Sequence, residues 1–178
     1  ENGELISINS KKDSPINIIR QLQNIAKKYA IGRDIHVGDT IIGIKGRVAF
    51  EAAAPLIIIK AHHLLEKHTL SKWQQFQKES ISNFYGMLLH EGQYFDPVMR
   101  DIESFLSNSQ KNVSGTVYLK LKPYSFDLEG IKSKNDLMHK GFGTYGEINN
   151  NWTATDVKGF IKINANAGKI YHKINKEK

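Results

Sequence analysis

Hydrophobic and polar residues follow two different periods along this chain, and the change of period separates predicted strands from predicted helices. A period of two predicts β-strands at residues 4–10, 35–37, 40–44, 116–122 and 125–132. A helical period predicts helices that begin near Pro15, Glu51, Leu70, Asp96-Pro97 and either Thr153 or Thr155. The strands and helices come in separate groups, which favours an α+β fold, an antiparallel sheet with helices packed on it, over a doubly wound sheet.

Turn and cap residues set the limits of the first half. Residues 11–13 are expected to form a turn, after which Asp13 or Ser14 can cap a helix that carries Pro15 in its first turn. Gly32 ends this helix. The next helix is expected over residues 51–68, where Pro55 is tolerated only in the first turn.

The second half continues with two further helices and a hairpin. A helix over residues 70–90 stops at Gly92, and the buried stripe of the following helix is predicted to consist of Val98, Ile102, Phe105 and Leu106. Pro123-Tyr124 turns the strand 116–122 back into 125–132. Residues 135–152 are rich in Gly and Asn and predict an irregular loop, and residues 173–178 predict a polar tail.

The most informative segment runs from Gly32 to Leu70. Residues 35–37 and 40–44 are expected to pair as a hairpin around Gly38-Asp39, because hairpin turns favour residues that accept a positive φ. A glycine-rich loop at residues 43–51 is expected to follow. Glycines allow a backbone to approach a ligand closely, and the charged residues of this loop could hold a small zwitterion. These residues are Lys45, Arg47 and Glu51.

Composition places few limits on function. The 178 residues are 40% hydrophobic and 24% charged, which is ordinary for one soluble globular domain spanning residues 1–178. No apolar run approaches the eighteen or more residues of a membrane span, and no signal peptide is visible. The chain starts at Glu1 without Met, which suggests an excised piece, and it has no cysteine, which fits a cytoplasmic protein.

The formal net charge of +7 leaves two interpretations open. A basic protein can bind nucleic acid or another anionic partner. The lysines here are scattered and do not interleave with aromatic residues, so a solvated surface is favoured and no nucleic-acid partner is expected. A non-enzymatic module for an anionic partner remains as an alternative.

Three histidines close in sequence raise the possibility of a metal site. His62, His63 and His68 are not spaced as an i, i+4 pair, and no cysteine or acidic cluster completes a ligand shell. We therefore expect no metal, and we expect His62 to serve in packing or hydrogen bonding. No catalytic acid–base pair or Ser-His-Asp arrangement can be identified.

Four blocks of sequence resemble the carboxy-terminal half of argininosuccinate synthase, in that family's order. They are GRDI with GIKGRVAFE (residues 32–35 and 43–51), KAHHLLEKHTL (60–70), SQKNVSGTVYLKL (109–121) and TDVKGFIKIN (155–164). The resemblance covers nearly the whole chain. It implies the synthetase and multimerisation domain of that enzyme.

The resemblance implies an ATP-dependent ligase of arginine biosynthesis that joins citrulline to aspartate and releases AMP and pyrophosphate. ATP and Mg²⁺ would be bound by a nucleotide-binding domain whose SGGLDT-type loop does not occur in this sequence. The chain alone is therefore expected to bind no cofactor and to be inactive. The implied partners are citrulline, aspartate, the nucleotide-binding domain and further copies of the protein, in the family a homotetramer in the cytoplasm. No membrane partner is expected.

The resemblance also identifies citrulline-side positions, and this chain departs from the family at several of them. Lys45, Arg47 and Glu51 are kept, and the family's Ser and Gly are replaced by Gly46 and Val48. Two contact positions have lost their polar groups, because a family Glu aligns with Gly38 and a family Tyr aligns with Phe50.

The loss at Gly38 and Phe50 has two explanations. Either the substrate amine is masked, as in an N-acylated citrulline, or Asp39 compensates with a shift of one residue. Lys45 and Arg47 also have a purely structural alternative, as solvated charges or partners of Glu51. A free-standing oligomerisation domain without a substrate is the remaining alternative for the chain.

Overall fold

The structure is a computed structural model that describes residues 1–138 and 151–176. The chain divides into two compact units, residues 1–137 and 138–178. The described helices are α1 (Pro15–Ala26), α2 (Ala53–Thr69), α3 (Lys72–His90), α4 (Pro97–Ser109) and α5 (Ala154–Asn175). The described strands are β1 (Ser7–Ile8), β2 (Lys11–Lys12), β3 (Arg33–Asp39), β4 (Lys45–Glu51), β5 (Thr116–Lys122) and β6 (Ser125–Lys132).

All described strands pair in antiparallel hairpins, which confirms the α+β class. The antiparallel pairing is divided among three two-stranded sheets, β1–β2, β3–β4 and β5–β6. Short 3₁₀ turns at Lys27–Tyr29 and Gln110–Asn112 extend α1 and α4.

Helix starts agree well with the cap residues in the sequence. The Ser14 hydroxyl accepts from the Asn17 amide, Pro15 occupies the first turn, and the Asp96 carboxylate accepts from the Val98 amide. Thr153, rather than Thr155, caps α5 in a reciprocal capping box with Asp156. These caps are local interactions, which explains why local sequence predicts them.

The first predicted strand is shorter than its pattern suggested. Only Ser7–Ile8 is strand, and it pairs with Lys11–Lys12, where a turn was predicted. The turn instead lies at Asn9 and Ser10, which both have positive φ, as a two-residue hairpin loop requires.

The core of the first unit lies where β5–β6 packs against α2. One cluster joins Ala26 and Ile31 to the start of α2, and partly buried side chains from α1 and the β5–β6 hairpin cover it. Those side chains are Leu22, Leu119, Leu121 and Phe126. A second cluster of Leu65, Leu70 and Val113 lies at the carboxyl end of α2. The apolar face of the β5–β6 hairpin therefore packs against both ends of α2.

Helices α3 and α4 form the remaining part of this unit. The buried residues of α4 are Met99 and Ile102, together with Ser109. The predicted stripe is correct at Ile102, whereas Val98, Phe105 and Leu106 are only half-buried. The buried face of α4 is therefore rotated toward Met99 relative to the predicted stripe. The element that packs against a helix, and not only the apolar residues of that helix, decides which face is buried.

Within the second unit, α5 is described from Ala154 to Asn175. It therefore includes the start of the predicted polar tail, residues 173–175. Most of the predicted loop, residues 139–150, lies outside the described residues. None of the described helices combines the length and hydrophobicity that a membrane crossing requires.

Candidate functional site

The hairpin β3–β4 carries every residue predicted for substrate binding. Its seven cross-strand pairs run from Arg33–Glu51 at the base to Asp39–Lys45 near the turn. The predictions of a turn at Gly38-Asp39 and of a loop at residues 43–51 are therefore wrong. Gly38 and Asp39 belong to β3, and residues 45–51 form β4.

The turn lies at residues 40–44, where side-chain chemistry stabilises it. The Thr40 hydroxyl donates to the Ile44 carbonyl at 2.6 Å, and the Gly43 amide donates to the Thr40 carbonyl at 2.9 Å. Gly43 has φ +80°, a conformation that glycine adopts at low cost. The sequence does not indicate this turn, because the apolar residues Ile41, Ile42 and Ile44 extend the pattern that is typical of a strand.

The register assigns the predicted site residues to two opposite faces of the hairpin. Directly opposed residues share a face, and successive residues alternate between faces. Gly38 and Phe50 therefore lie on one face, which we call the glycine face. The opposite face, here the charged face, carries Asp39, Lys45, Arg47 and Glu51 together with Arg33.

Two ion pairs order the charged face. The Arg33 Nε donates to Oε2 of Glu51 at 3.0 Å, and Lys45 forms an ion pair with Asp39. Both pairs are largely exposed, so each contributes at most about 1 kcal/mol to stability. Arg47 lies opposite Val37, and within the described ranges it makes no ion pair. Its guanidinium is the charge on this face that is best placed to bind an anionic group.

The glycine face is built around a pair of opposed glycines, Gly38 and Gly46. A Cβ atom on Gly38 would lie 2.5 Å from Nε2 of His36, so the imidazole covers this position. A Cβ on Gly46 would lie 3.3 Å from the Thr40 methyl group. His36 was not among the predicted site residues, although its position two residues before Gly38 places it on the same face.

Phe50 lies at the base of the glycine face, opposite Asp34. It is 43% exposed and lines an open depression of about 720 Å³ at the strand ends. The Asp34 carboxylate accepts from the Ile35 amide at 2.7 Å. The depression therefore combines an aromatic surface with charged residues, the remaining lining residues being Arg33, Ile35, Ala49 and Glu51.

Gly32 fixes the base of the hairpin to α2. Its φ is +76°, and a Cβ there would lie 2.7 Å from backbone atoms of Ala52 and Ala53. The Ala52 amide donates to the Gly32 carbonyl at 2.9 Å, and Gln23 of α1 accepts from the Ala54 amide at 2.9 Å. Both ends of the hairpin are thus held by the helical frame.

A buried polar cluster joins α2, α3 and the end of α4. The Glu66 carboxylate, 2% exposed, accepts hydrogen bonds from Lys78 Nζ at 2.9 Å and from Gln110 Nε2 at 2.8 Å. His62 Nε2 lies 3.1 Å from Glu66 Oε1 and 2.9 Å from Gln110 Oε1. The predicted role of His62 was packing or hydrogen bonding, and the structure shows hydrogen bonding.

The cluster keeps Glu66 ionised. Burial by itself would raise the pKa of this carboxyl, but hydrogen bonds from His62, Lys78 and Gln110 and the charge of the His62 imidazole outweigh burial and lower the pKa to about 2. The sequence contains no local signal for this cluster, because its members are up to 48 residues apart.

The other two histidines are not gathered into an ion site. His68 Nδ1 lies 3.0 Å from Asp136 Oδ1, which connects the end of α2 to the segment after β6. Among residues 1–138 and 151–176, no group of three or more His, Asp or Glu side chains is arranged to hold a metal ion.

Comparison with known proteins defines the class of this chain. Residues 1–171, which include the hairpin β3–β4 and the helices that hold it, match the family model described as the Arginosuccinate synthase C-terminal domain. The chain is therefore a carboxy-terminal domain of that class of enzyme. The chain belongs to that family.

Relatives from several bacteria are named argininosuccinate synthase. The protein of Dehalococcoides mccartyi strain CBDB1 is 37% identical over 163 residues, which cover 92% of this chain and 40% of that protein. The Xanthomonas campestris pv. campestris protein is 33% identical over 174 residues, which cover 98% of this chain and 43% of the relative. The Dictyoglomus thermophilum protein is 33% identical, with 92% and 41% covered. The chain thus spans about two fifths of the length of these relatives.

Proposed function

We propose that this chain is the citrulline-side domain of an ATP-dependent ligase that joins a citrulline-type substrate to aspartate. Membership of the family supports this proposal, and so does the exposed hairpin, which carries Arg47 and has an open depression at its base. Arg47 is suited to the substrate carboxylate, Lys45 lies two residues away on the same face, and Glu51 orients Arg33 at the depression.

The proposed reaction has two steps. The ureido oxygen of the substrate attacks the α-phosphate of ATP and releases pyrophosphate, and the aspartate amine then displaces AMP. ATP and Mg²⁺ bind to the amino-terminal portion that the longer relatives have, and this domain holds the citrulline end. The reaction belongs to arginine biosynthesis in the cytoplasm, with no nucleic acid or membrane as partner.

The substrate that we favour is an N-acylated citrulline. Position 38 has no carboxylate, and the one-residue shift that would let Asp39 replace it is opposed by the pleat, because adjacent residues of a strand point to opposite faces. Asp39 is also engaged by Lys45 on the charged face. An ammonium group at Gly38 would find no carboxylate at that position, whereas an amide needs none.

A comparison of substrates tests this choice. The full-length ligase that carries this domain should be assayed for pyrophosphate release with citrulline, N-acetylcitrulline and N-succinylcitrulline, each with aspartate and ATP. We expect kcat/KM to be higher for an N-acylated substrate. A higher value for free citrulline would contradict the proposal, and the 178-residue chain alone, which we expect to release no pyrophosphate, is the control.

Self-association is a second proposed property, and α5 favours it. Phe160, Ile163, Ile170 and Ile174 recur at heptad-like spacing on α5, and each is more than half exposed. We propose that this stripe packs against other copies in a homo-oligomer, a tetramer as in the family. Light scattering after size exclusion should give a mass above 20.2 kDa, and Ile163→Asp should lower it. A monomeric mass for the unsubstituted chain would contradict this property. A titration with citrulline then separates two alternatives, because a ligand-binding domain should bind citrulline and a pure oligomerisation module should not.

A further inference from the structure

The position of the His36 ring over Gly38 suggests how the hairpin selects its substrate. On the glycine face, Gly38 and Gly46 leave a strip of backbone without side chains, and both residues are half-buried although most of the hairpin is exposed. The imidazole of His36 covers Gly38, with Nε2 only 2.5 Å from the position of a Cβ on that residue. An acidic side chain at position 38 would have to displace this ring.

The groups around this strip are suited to an amide rather than to an ammonium ion. A His36 ring N–H can donate to a carbonyl oxygen, and Val48, opposite His36, is apolar. The carboxylate on this face of β3 is Asp34, four residues from Gly38 and therefore about 13 Å away along the strand. It is only two residues from His36, about 7 Å along the strand, where it disfavours a second negative charge on a group bound at the imidazole.

We infer that His36 is the specificity-determining residue for the α-nitrogen substituent, donating a hydrogen bond to the carbonyl oxygen of a short, uncharged acyl group. Gly38 and Gly46 provide the space for this group, and Val48, opposite His36, provides an apolar surface. This inference rests on the function proposed above and adds to it the class of acyl group, acetyl-like rather than dicarboxylic.

Substitution of His36 tests the inference on the full-length ligase. His36→Ala should lower kcat/KM for N-acetylcitrulline about tenfold, the loss expected for one hydrogen bond of roughly 1.4 kcal/mol, and should leave the value for citrulline within about twofold. His36→Gln, which keeps a donor, should retain most of the activity on N-acetylcitrulline. His90→Ala, an exposed histidine at the end of α3, is the matched control.

A double variant tests the converse. In His36→Ala/Gly38→Glu the ring is removed and a carboxylate is supplied, so the preference should move toward free citrulline. Asp34→Asn should raise kcat/KM for N-succinylcitrulline relative to kcat/KM for N-acetylcitrulline, and an unchanged ratio would contradict the role given to the Asp34 charge.

The outcomes separate this inference from the proposed function. If the unmodified ligase prefers free citrulline, the N-acyl substrate itself is wrong. The ligase could instead prefer N-acetylcitrulline while His36→Ala leaves kcat/KM unchanged for both N-acetylcitrulline and citrulline, or lowers both equally. In that case the role of His36 is wrong and the N-acyl substrate stands. A preference for N-succinylcitrulline would overturn the acyl class. Circular dichroism of each variant checks that the fold is retained.

Discussion

Lys78 Nζ lies 2.8 Å from Oε1 of Glu66, a carboxylate that is almost completely withdrawn from solvent. Lys78 belongs to α3 and Glu66 to α2, so this ion pair holds the two helices together. His62 and Gln110 complete the hydrogen bonding of the carboxylate. A buried charge of this kind is tolerated only while its partners are present.

Removal of Lys78 should therefore destabilise the chain strongly. We expect Lys78→Met to lower the free energy of unfolding by about 3 kcal/mol, because it leaves the Glu66 charge buried without its cation. Urea unfolding followed by circular dichroism measures this change. Lys67→Met, on the exposed side of α2, should change the free energy of unfolding by less than about 0.5 kcal/mol. Equal effects of the two substitutions would contradict the proposed importance of the pair.

The pKa of Glu66 predicts a dependence of stability on pH. Its folded-state value, about 2, lies below the ordinary value of 4.5, so the unfolded chain binds the proton more readily. The stabilisation is complete above pH 4.5 and is lost as the pH falls toward 2, by at most about 3 kcal/mol. Urea unfolding at pH 7, 4 and 3 should show this loss. Glu66→Gln should show a smaller loss over the same range, and an identical slope in both proteins would exclude Glu66 as the cause.

Gly32 and Gly43 form a matched pair of glycines with positive φ. Gly32→Ala should cost more than about 2 kcal/mol, because the strained backbone is combined with a contact of 2.7 Å to the backbone of α2. Gly43→Ala should cost only about 1 kcal/mol, since no atom lies within 4 Å of its Cβ position. Thermal unfolding of both variants measures the difference, and a larger loss for Gly43→Ala would contradict this account.

The charged face allows structural and functional roles to be separated. Arg47→Met should change the free energy of unfolding by less than about 0.5 kcal/mol, because Arg47 is exposed and makes no ion pair among residues 1–138 and 151–176. In the full-length ligase, the same variant should raise KM for the citrulline-type substrate about tenfold or more, since a charged contact is lost. Arg20→Met, on exposed α1, is the control. Unchanged kinetics would remove Arg47 from the proposed site.

Much of the framework could be predicted from sequence because it depends on local interactions. The sequence predicted α1 from a cap at Asp13 or Ser14, α4 from Asp96-Pro97 and α5 from a cap at Thr153 or Thr155. The caps in the structure are Ser14, Asp96 and Thr153, whose side chains bond to amides within three residues. It also predicted β5 and β6 with the bounds that the structure has. Apolar and polar residues alternate along both strands, and the turn at Pro123-Tyr124 joins them directly, so the whole hairpin is one continuous segment of sequence.

The hairpin β3–β4 shows where sequence reasoning failed. The predicted chain reversal was at Gly38-Asp39, whereas the chain reverses at residues 40–44 in the structure. The error concealed the two-face arrangement, because the register decides which residues share a face. His36 could have been found from its spacing to Gly38, but only with the correct register.

The sequence by itself determined the helices, the β5–β6 hairpin and the family of this protein, since caps, periods and motifs are properties of neighbouring residues. The tertiary structure alone decided that Asp39 and Gly38 point to opposite faces, that His36 covers Gly38 and that Glu66 is buried among Lys78, His62 and Gln110. These relationships depend on strand register and on helix packing across tens of residues. They arise from contacts that no local pattern encodes.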